Sequence, residues 1–151
     1  MGFVFKLQGL LNWKKNLEEL AQMRLAEKLK QLQAEEEEIQ RLIKQRSAYQ
    51  KELREKSVQG LNVAEYLTYQ HYFETSLKDL LFREEKKKIT LREIEVEREK
   101  LIAFTKQRKI LEKLKEKRLK KFMYQLEQED RTKNDERVIS RYQSSPKVTF
   151  S

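Results

Sequence analysis

The sequence predicts an all-α protein, a long antiparallel two-helix coiled-coil hairpin with an overhanging second helix. The first reason is composition: 39% of the 151 residues are charged, with only three glycines and one proline, which is typical of long helices. The second is that apolar residues recur at spacings of three and four, as in helices that bury a narrow stripe. The third is a single internal turn signal. These observations favour a thin seam over a globular core.

Two apolar stripes run along the chain, and each predicts one helix. Helix one is expected at about residues 5–57 and helix two at about residues 63–136. The first stripe comprises Leu25, Leu29, Leu32, Glu36, Ile39, Ile43, Arg46, Gln50 and Leu53. The second comprises Phe73, Leu77, Leu80, Glu84, Lys87, Leu91, Ile94, Arg98 and Leu101. The regular spacing in both predicts a seam between the two helices.

The turn between the helices is predicted at residues 58–62, which read "VQGLN". Gly60 can adopt the left-handed conformation that ends a helix. Asn62 can cap the next helix, with Glu65 three residues later. One register then satisfies both stripes, because antiparallel partners have position numbers with a constant sum. Such pairs are Arg46 with Phe73, Ile39 with Leu80 and Leu25 with Ile94.

The second helix is predicted to be longer than the first and to extend beyond it. From near Lys117 to Glu136 it has no partner in the predicted hairpin, although Leu119, Phe122 and Met123 are apolar. Apolar residues on an unpaired helix indicate a docking surface. Residues 1–142 are thus predicted to form one hairpin domain, and residues 143–151 a frayed tail.

Charge is unevenly distributed along the chain, whose net charge is +9. Residues 86–121 hold 15 Lys or Arg and six Glu, whereas residues 58–85 hold two basic and five acidic residues. The basic residues 86–121 could form either a solvent-exposed helix face or a surface that binds an anionic partner. Nucleic-acid binding stays an alternative only, because no binding motif is present and basic residues alternate with Glu over residues 92–100.

Catalysis is not expected from this sequence. The chain has one histidine, His71, no cysteine and no Gly-rich phosphate loop. The acidic run Glu35–Glu38 is interpreted as solvated surface. We therefore expect no enzymatic activity, no cofactor, no metal and no small-molecule substrate. No apolar run is long enough to cross a bilayer and no signal peptide is evident, so a cytoplasmic location is expected.

Several ordered elements carry a resemblance to a known family. They are an apolar opening "FVFKLQGLLNWKKNLEELA", Tyr49 shortly before the turn, "NVAEYLTYQHYF" after it, and "LEKLKEKRLKKF" leading to "NDE". In their order, spacing and total length they resemble FliJ, the soluble coiled-coil component of the bacterial flagellar type III export apparatus. The resemblance covers roughly residues 3–142.

The resemblance implies a mechanism. FliJ-like proteins are similar to the central stalk of rotary ATPases, and the end that bears both termini inserts in the hexameric ring of the export ATPase. The family also contacts the cytoplasmic domain of the membrane-embedded export gate and handles export chaperones. This implies a location at the inner face of the cell membrane, at the flagellar base.

The resemblance also implies two sets of contact residues. The export-gate surface would consist of Leu42, Gln45, Tyr49, Tyr72, Ser76 and Asp79. The predicted seam leaves Leu42, Tyr49 and Tyr72 on a flanking face, where exposed aromatic residues would act as anchors. The ATPase surface would consist of Leu7, Leu10, Leu11, Lys14, Lys117, Arg118, Lys121 and Phe122.

Three alternatives stay open from the sequence. The first is the corresponding stalk of a virulence-type secretion system, which shares this architecture. The second is a generic structural coiled coil that oligomerises through its seam. The third is a basic nucleic-acid-binding helix, for which steep salt dependence of binding would be expected.

Overall fold

The computed structural model describes residues 2–144 and contains two α-helices. Helix α1 spans Gln8–Gln59 and helix α2 spans Val63–Ser144. The predicted all-α hairpin is confirmed. Helix α2 runs beyond its predicted end at residue 136, and most of the predicted frayed tail, residues 145–151, lies outside the described part of the chain.

The start of α1 is later than the predicted residue 5. No Ser, Thr, Asp or Asn precedes Gln8 to cap an earlier start. The Gln8 backbone N–H instead donates to the Phe5 carbonyl at 3.0 Å, which closes a turn. Residues 2–7 therefore precede the helix and are mostly apolar.

The turn follows the predicted capping chemistry. Gly60 has a positive φ of 104°, which a residue with a side chain rarely adopts. The Asn62 side-chain oxygen accepts a hydrogen bond of 2.8 Å from the backbone N–H of Glu65. The Asn62 amide also donates to the Glu65 carboxylate at 3.3 Å. Local chemistry thus ends α1 and begins α2.

The chain forms two compact units. The first unit combines the residues up to Lys15 with those from Thr105 onward, and the second unit spans Asn16–Phe104. Each unit is described by itself below. Within residues 2–144, neither helix contains an apolar stretch long enough to cross a membrane.

In the second unit, α1 and α2 meet along a seam of alternating spacings of three and four. On α1 the inward positions are Leu25, Lys28, Leu32, Glu35, Ile39, Leu42, Arg46, Tyr49 and Leu53. On α2 they are Phe73, Ser76, Leu80, Arg83, Lys87, Thr90, Ile94, Glu97 and Leu101. Every second layer of the seam is therefore mostly polar.

Half of the predicted seam is confirmed and half is wrong. The predicted positions Leu29, Ile43, Leu77 and Leu91 are between 40% and 45% exposed. Their neighbours Lys28, Leu42, Ser76 and Thr90 point inward instead. Three of these four inward side chains, Lys28, Ser76 and Thr90, are polar and bond across the seam where the prediction placed Leu. The fourth, Leu42, takes the place of Ile43.

Three cross-seam contacts show the antiparallel direction. Lys28 forms an ion pair with Glu93, Glu38 lies 3.6 Å from Arg83, and the rings of Tyr49 and Tyr72 are in contact. The position numbers of the partners again have a constant sum, two higher than predicted. This confirms antiparallel pairing in nearly the predicted register.

Polar contacts also fill the middle of this seam. The predicted register placed Glu36 near Glu84, but Glu36 pairs with Lys87 at 3.7 Å. The Thr90 hydroxyl, whose side chain is fully buried, donates to Glu35 at 3.0 Å. An ion pair of opposite charges is therefore found where the predicted register brought two glutamates together.

The first unit has an apolar cluster instead. Phe5, Leu11 and Leu111 are buried together. The cluster is flanked by Phe3, Leu7 and Leu114. The Phe3 ring packs on the Phe122 ring, with centroids 5.6 Å apart. The prediction that α2 has no partner from Lys117 onward is therefore corrected. Every side chain from Met123 to Gln143 is exposed.

Candidate functional site

A cluster of tyrosines lies near the turn end of the second unit. The ring of Tyr49 on α1 contacts the ring of Tyr72 on α2, with centroids 4.4 Å apart, and lies 6.5 Å from the ring of Tyr69. These rings line an open groove of about 360 Å³ together with Lys56, Glu65 and Thr68. We call Tyr49, Tyr69 and Tyr72 the tyrosine cluster.

The layer beside the tyrosine cluster is fixed by Arg46. Its guanidinium donates to the backbone carbonyl of Phe73 at 2.8 Å and to the hydroxyl of Ser76. The same group lies 5.6 Å from the centre of the Phe73 ring. This one α1 side chain binds both the backbone and a side chain of α2. It therefore fixes the position of α2 along α1 at this layer, and with it which tyrosines come into contact.

The Tyr72 hydroxyl is buried and has no hydrogen-bond partner within residues 2–144. Burial, followed by the nearby Tyr49, raises the pKa of Tyr72 above its usual 10.0. On the cluster's other side, the Lys56 ammonium lies 5.4 Å from the centre of the Tyr69 ring and pairs with Glu52 at 3.3 Å. The groove thus combines aromatic surface with a buried hydroxyl that has no partner among residues 2–144.

A basic surface lies on α2 in the first unit. Lys117, Arg118 and Lys121 are exposed, and the Arg118 guanidinium lies 5.6 Å from the centre of the Phe5 ring. Lys115 donates to the Gln8 side chain at 2.7 Å. The apolar cluster therefore supports a positively charged exterior, which we call the basic surface, consisting of Lys117, Arg118 and Lys121.

The sequence matches the family described as Flagellar FliJ protein across residues 3–147. The chain belongs to the FliJ family. Membership makes it a component of flagellar protein export, which the helical periodicity alone could not distinguish from a generic coiled coil. Searches of curated proteins and of solved structures found no significant match.

Resemblance to the FliJ family selects six positions for gate contact, and not all of them are exposed. Leu42 is 5% exposed and Ser76 is 6% exposed, so the expectation that they form a docking face is corrected: both fill the seam. Gln45, Tyr49 and Asp79 are half-buried, and Asp79 pairs with Arg83 at 3.2 Å. Tyr72 is also half-buried.

The structure brings Tyr49 and Tyr72 into contact, as a shared face requires. It also adds Tyr69, which was not among the positions selected for gate contact. One signal could have identified it: Tyr69 precedes Tyr72 by three residues, and helix positions three apart lie on neighbouring parts of one face. Three ring systems, rather than two, therefore define the groove.

The positions selected for ATPase contact all lie in the first unit. Leu11 is 1% exposed and Phe122 packs on Phe3, so both hold the unit together, which corrects their assignment to an open surface. Leu10 is exposed, and the Lys14 ammonium lies 4.6 Å from the centre of the neighbouring Trp13 ring. Leu7 is half-buried.

Proposed function

We propose that this FliJ-family protein acts as a central-stalk-like coiled coil that couples the hexameric export ATPase to the export gate. The family match over residues 3–147 supports the proposal most directly. Each helix is stiffened by its internal backbone hydrogen bonds, and cross-helix contacts fix the seam of the second unit. A helical protein with a distinct surface in each unit suits a coupling role.

The tyrosine cluster is the proposed gate-binding surface. Half-exposed aromatic rings are strong anchors in protein interfaces, since they bury a large area with little loss of side-chain entropy. On binding, the Tyr72 side chain would rotate outward, and its hydroxyl, which is buried without a partner among residues 2–144, would then donate to a carbonyl of the gate's cytoplasmic domain. Gln45 and Asp79 would form the polar rim, while Leu42 and Ser76 position the helices beneath.

The basic surface, together with exposed Leu10, is the proposed ATPase-binding surface. A positively charged surface would raise the rate of association with the ATPase ring if the ring's binding surface is acidic. Export chaperones are further proposed partners of the same protein. This role places the chain in the cytoplasm, peripherally associated with the inner face of the cell membrane at the flagellar base.

The gate-binding assignment is tested by Tyr49→Ala with Tyr72→Ala. We expect binding to the purified gate domain to weaken at least about tenfold, the range of a hot-spot pair, while helicity and ATPase stimulation stay at wild-type level. Tyr66→Ala is the matched control, because Tyr66 is also an exposed tyrosine on α2 near the turn. Equal loss in the control, or loss of helicity in the double variant, would contradict the assignment.

The Tyr72 hydroxyl can be tested without disturbing the ring. Tyr72→Phe removes only the oxygen, so packing against Tyr49 is kept. We expect weaker gate binding without loss of thermal stability at neutral pH, because the hydroxyl that is removed is buried without a partner among residues 2–144. Unchanged gate binding would show that the hydroxyl takes no part in it.

A further inference from the structure

Two rows of residues in the second unit are placed to fill the centre of the seam. In each heptad, a residue that points into the seam is followed at once by a residue that lies beside it, as Thr90 is followed by Leu91. The first set, the inner row, comprises Lys28, Glu35, Leu42 and Tyr49 on α1 and Ser76, Arg83, Thr90 and Glu97 on α2. The second set, the alternate row, comprises Leu29, Glu36, Ile43 and Gln50 on α1 and Leu77, Glu84, Leu91 and Arg98 on α2.

The inner row buries polar atoms that lack partners. One carboxylate oxygen of Glu35 and one of Glu97 are buried without a hydrogen-bond partner among residues 2–144. The Tyr72 hydroxyl, next to the inner row, is in the same condition. Each of these atoms has lost its water without gaining a hydrogen bond, which disfavours the observed packing. The observed seam therefore carries a free-energy cost that a different packing would remove.

The alternate row is the more apolar of the two rows. Four of its eight residues are Leu or Ile, whereas the inner row contains Leu42 alone. These four side chains are between 40% and 45% exposed, so their burial in the seam would be favourable. The alternate row also has an ion pair in place, because Glu36 already lies 3.7 Å from Lys87. Its residues are therefore suited to fill a seam of their own.

Several contacts oppose an exchange of the two rows and make the observed seam the major packing. The Thr90 hydroxyl donates to Glu35 at 3.0 Å. Arg46 donates to the Ser76 hydroxyl, and Leu42 is buried. The exchange would lose these hydrogen bonds and this burial. Because gains and losses of similar kind oppose each other, the two packings differ little in free energy, as in proteins that switch between two arrangements of their helices.

The exchange needs only a modest rotation. Successive residues of an α-helix lie about 100° apart around its axis. The seam is centred between the inner row and a third row, which contains Ile39 and Ile94 and stays in the seam in both packings. Replacing the inner row by the alternate row therefore turns each helix by about 50°, half of one step. In an antiparallel pair the two alternate rows lie on the same side of the seam, so the helices counter-rotate like meshed gears and stay packed.

The rotation carries the tyrosine cluster out of the seam. Tyr49 belongs to the inner row, and Tyr69 lies one heptad before the inner-row residue Ser76. Tyr72 lies on the side of the inner row that faces away from the alternate row. All three rings therefore move towards solvent when the alternate row enters, and the Tyr72 hydroxyl leaves its buried position. Helix rotation thus supplies the outward movement that a partner of this hydroxyl requires.

We propose that the second unit has two helix packings, the observed seam and a rotated seam in which the alternate row replaces the inner row, and that the rotated seam presents the tyrosine cluster to the export gate. The part that concerns the gate rests on the function proposed above. A partner shifts such an equilibrium only by binding one packing more tightly. The gate domain does so because only the rotated seam exposes all three rings. Binding near the turn then changes the packing of the whole seam.

Single cysteines report which row lies in the seam, because the chain has no cysteine of its own. Thr90→Cys places a thiol at a position that is 1% exposed, and Leu91→Cys places one at a position that is 43% exposed. Both are labelled with a small maleimide in the full chain, alone and with Glu84→Leu, which gives the alternate row of α2 three consecutive leucines. Because this change favours the rotated seam, we expect labelling of Thr90→Cys to be at least about fivefold faster and labelling of Leu91→Cys at least about twofold slower.

The matched control is Glu85→Leu, which makes the same chemical change at an exposed position outside both rows and should leave both rates unchanged. Opposite changes at neighbouring residues are the signature of rotation, since loosening or unfolding of the seam would speed labelling at both. Faster labelling at both positions, or no change at either, would overturn the proposal.

A second variant biases the equilibrium in the other direction. Leu77→Ser makes the alternate row more polar and so disfavours the rotated seam. It should slow labelling of Thr90→Cys at least about threefold, because the buried thiol reacts through the rotated packing. Simple destabilisation would speed this labelling instead, and that result would overturn the proposal.

Saturating amounts of purified gate domain test the link to the tyrosine cluster. Thr90 lies about 27 Å along α2 from Tyr72. We expect the gate domain to speed labelling of Thr90→Cys and to slow that of Leu91→Cys. Gate binding that slows both, as simple covering would, or that leaves both unchanged would overturn the link between packing and partner. Absence of gate binding would contradict the proposed function instead, while labelling of the free chain still decides whether the second unit has two packings.

Discussion

The two units of the protein join α-helical segments by different chemistry. In the first unit, Phe5, Leu11 and Leu111 bury apolar surface together. In the second unit, the seam alternates apolar layers such as Ile39 and Ile94 with polar ones such as Thr90 with Glu35. Similar Leu- and Lys-rich sequence therefore produces an apolar cluster in one unit and a seam of alternating apolar and hydrogen-bonded layers in the other.

This difference shows that the stability of a helix pair and the register of its two helices can depend on different contacts. Apolar burial stabilises strongly but is tolerant of small shifts. Half-exposed ion pairs such as Lys28 with Glu93 stabilise weakly, yet they specify which positions meet. We infer that the first unit is held mainly by burial and that the second is held in one register by its polar layers.

The largest effect is expected from Leu11→Ala in the first unit. Leu11 is almost fully buried, and deleting a buried Leu side chain costs about 2–4 kcal/mol. Urea unfolding should show this loss, and amide exchange should speed up near Leu111. Leu10→Ala is the control, because the neighbouring Leu10 is exposed and should change stability by less than about 1 kcal/mol. Similar losses from both would contradict the apolar-cluster description.

A smaller effect is expected from Arg46→Met in the second unit. The substitution keeps the length of the side chain but removes its bonds to the Phe73 carbonyl and the Ser76 hydroxyl. We expect a loss of about 1–2 kcal/mol in the free energy of unfolding. Lys44→Met changes an exposed cation on the same helix and should have no measurable effect. If Arg46→Met also leaves the free energy of unfolding unchanged, the proposal that polar layers hold the seam in one register would be contradicted.

Replacing one polar layer by an apolar one should act in the opposite direction. One carboxylate oxygen of Glu35 is buried with no partner among the described residues. Glu35→Leu with Thr90→Val removes that oxygen and the Thr90 hydroxyl together, so we expect a gain of about 1 kcal/mol in unfolding free energy. Thr90→Val alone removes one of two donors to Glu35, the other being the Gln31 amide, and should be destabilising. A destabilised double variant would show that this layer contributes affinity as well as register.

The smallest effect concerns alkaline pH. Because burial raises the pKa of Tyr72 above its usual 10.0, the neutral phenol favours the folded state. This contribution is fully present below that usual value and is lost as pH rises through the higher folded pKa. Tyr72→Phe should therefore flatten the decline of melting temperature above pH 10. An identical decline in both proteins would indicate that Tyr72 ionises freely.

The helices and their turn were predictable because they depend on local chemistry. Gly60 and Asn62 act through backbone conformation and capping, which the sequence displays directly. Alternate seam layers were not predictable by hydrophobicity, since Leu29 and Leu91 are more apolar than Lys28 and Thr90, which point inward. Cross-helix pairing decides these layers, and it appears only when both helices are placed together.

The candidate sites were predictable to a similar extent. The contact of Tyr49 with Tyr72 agrees with a shared surface. The resemblance selected Leu42 for that surface, and the predicted seam left it on a flanking face because Ile43 was taken for the seam; a rotation of one position exchanges the two. Phe122 was assigned to an open overhang because Phe3, which precedes the predicted start of helix one and packs on Phe122, had no predicted contact. The remaining errors thus follow from helix rotation and from the segment that precedes α1.

The coupling proposal is tested most directly by the ATP hydrolysis rate of the cognate hexameric export ATPase. We expect the wild-type protein to raise this rate and Lys117→Glu with Arg118→Glu and Lys121→Glu to abolish the increase, because the basic surface would be reversed. The matched control reverses three exposed basic residues of α1: Lys44, Lys51 and Arg54. It should stimulate like the wild type. No stimulation by the wild-type protein, or equal loss in both triple variants, would contradict the coupling role.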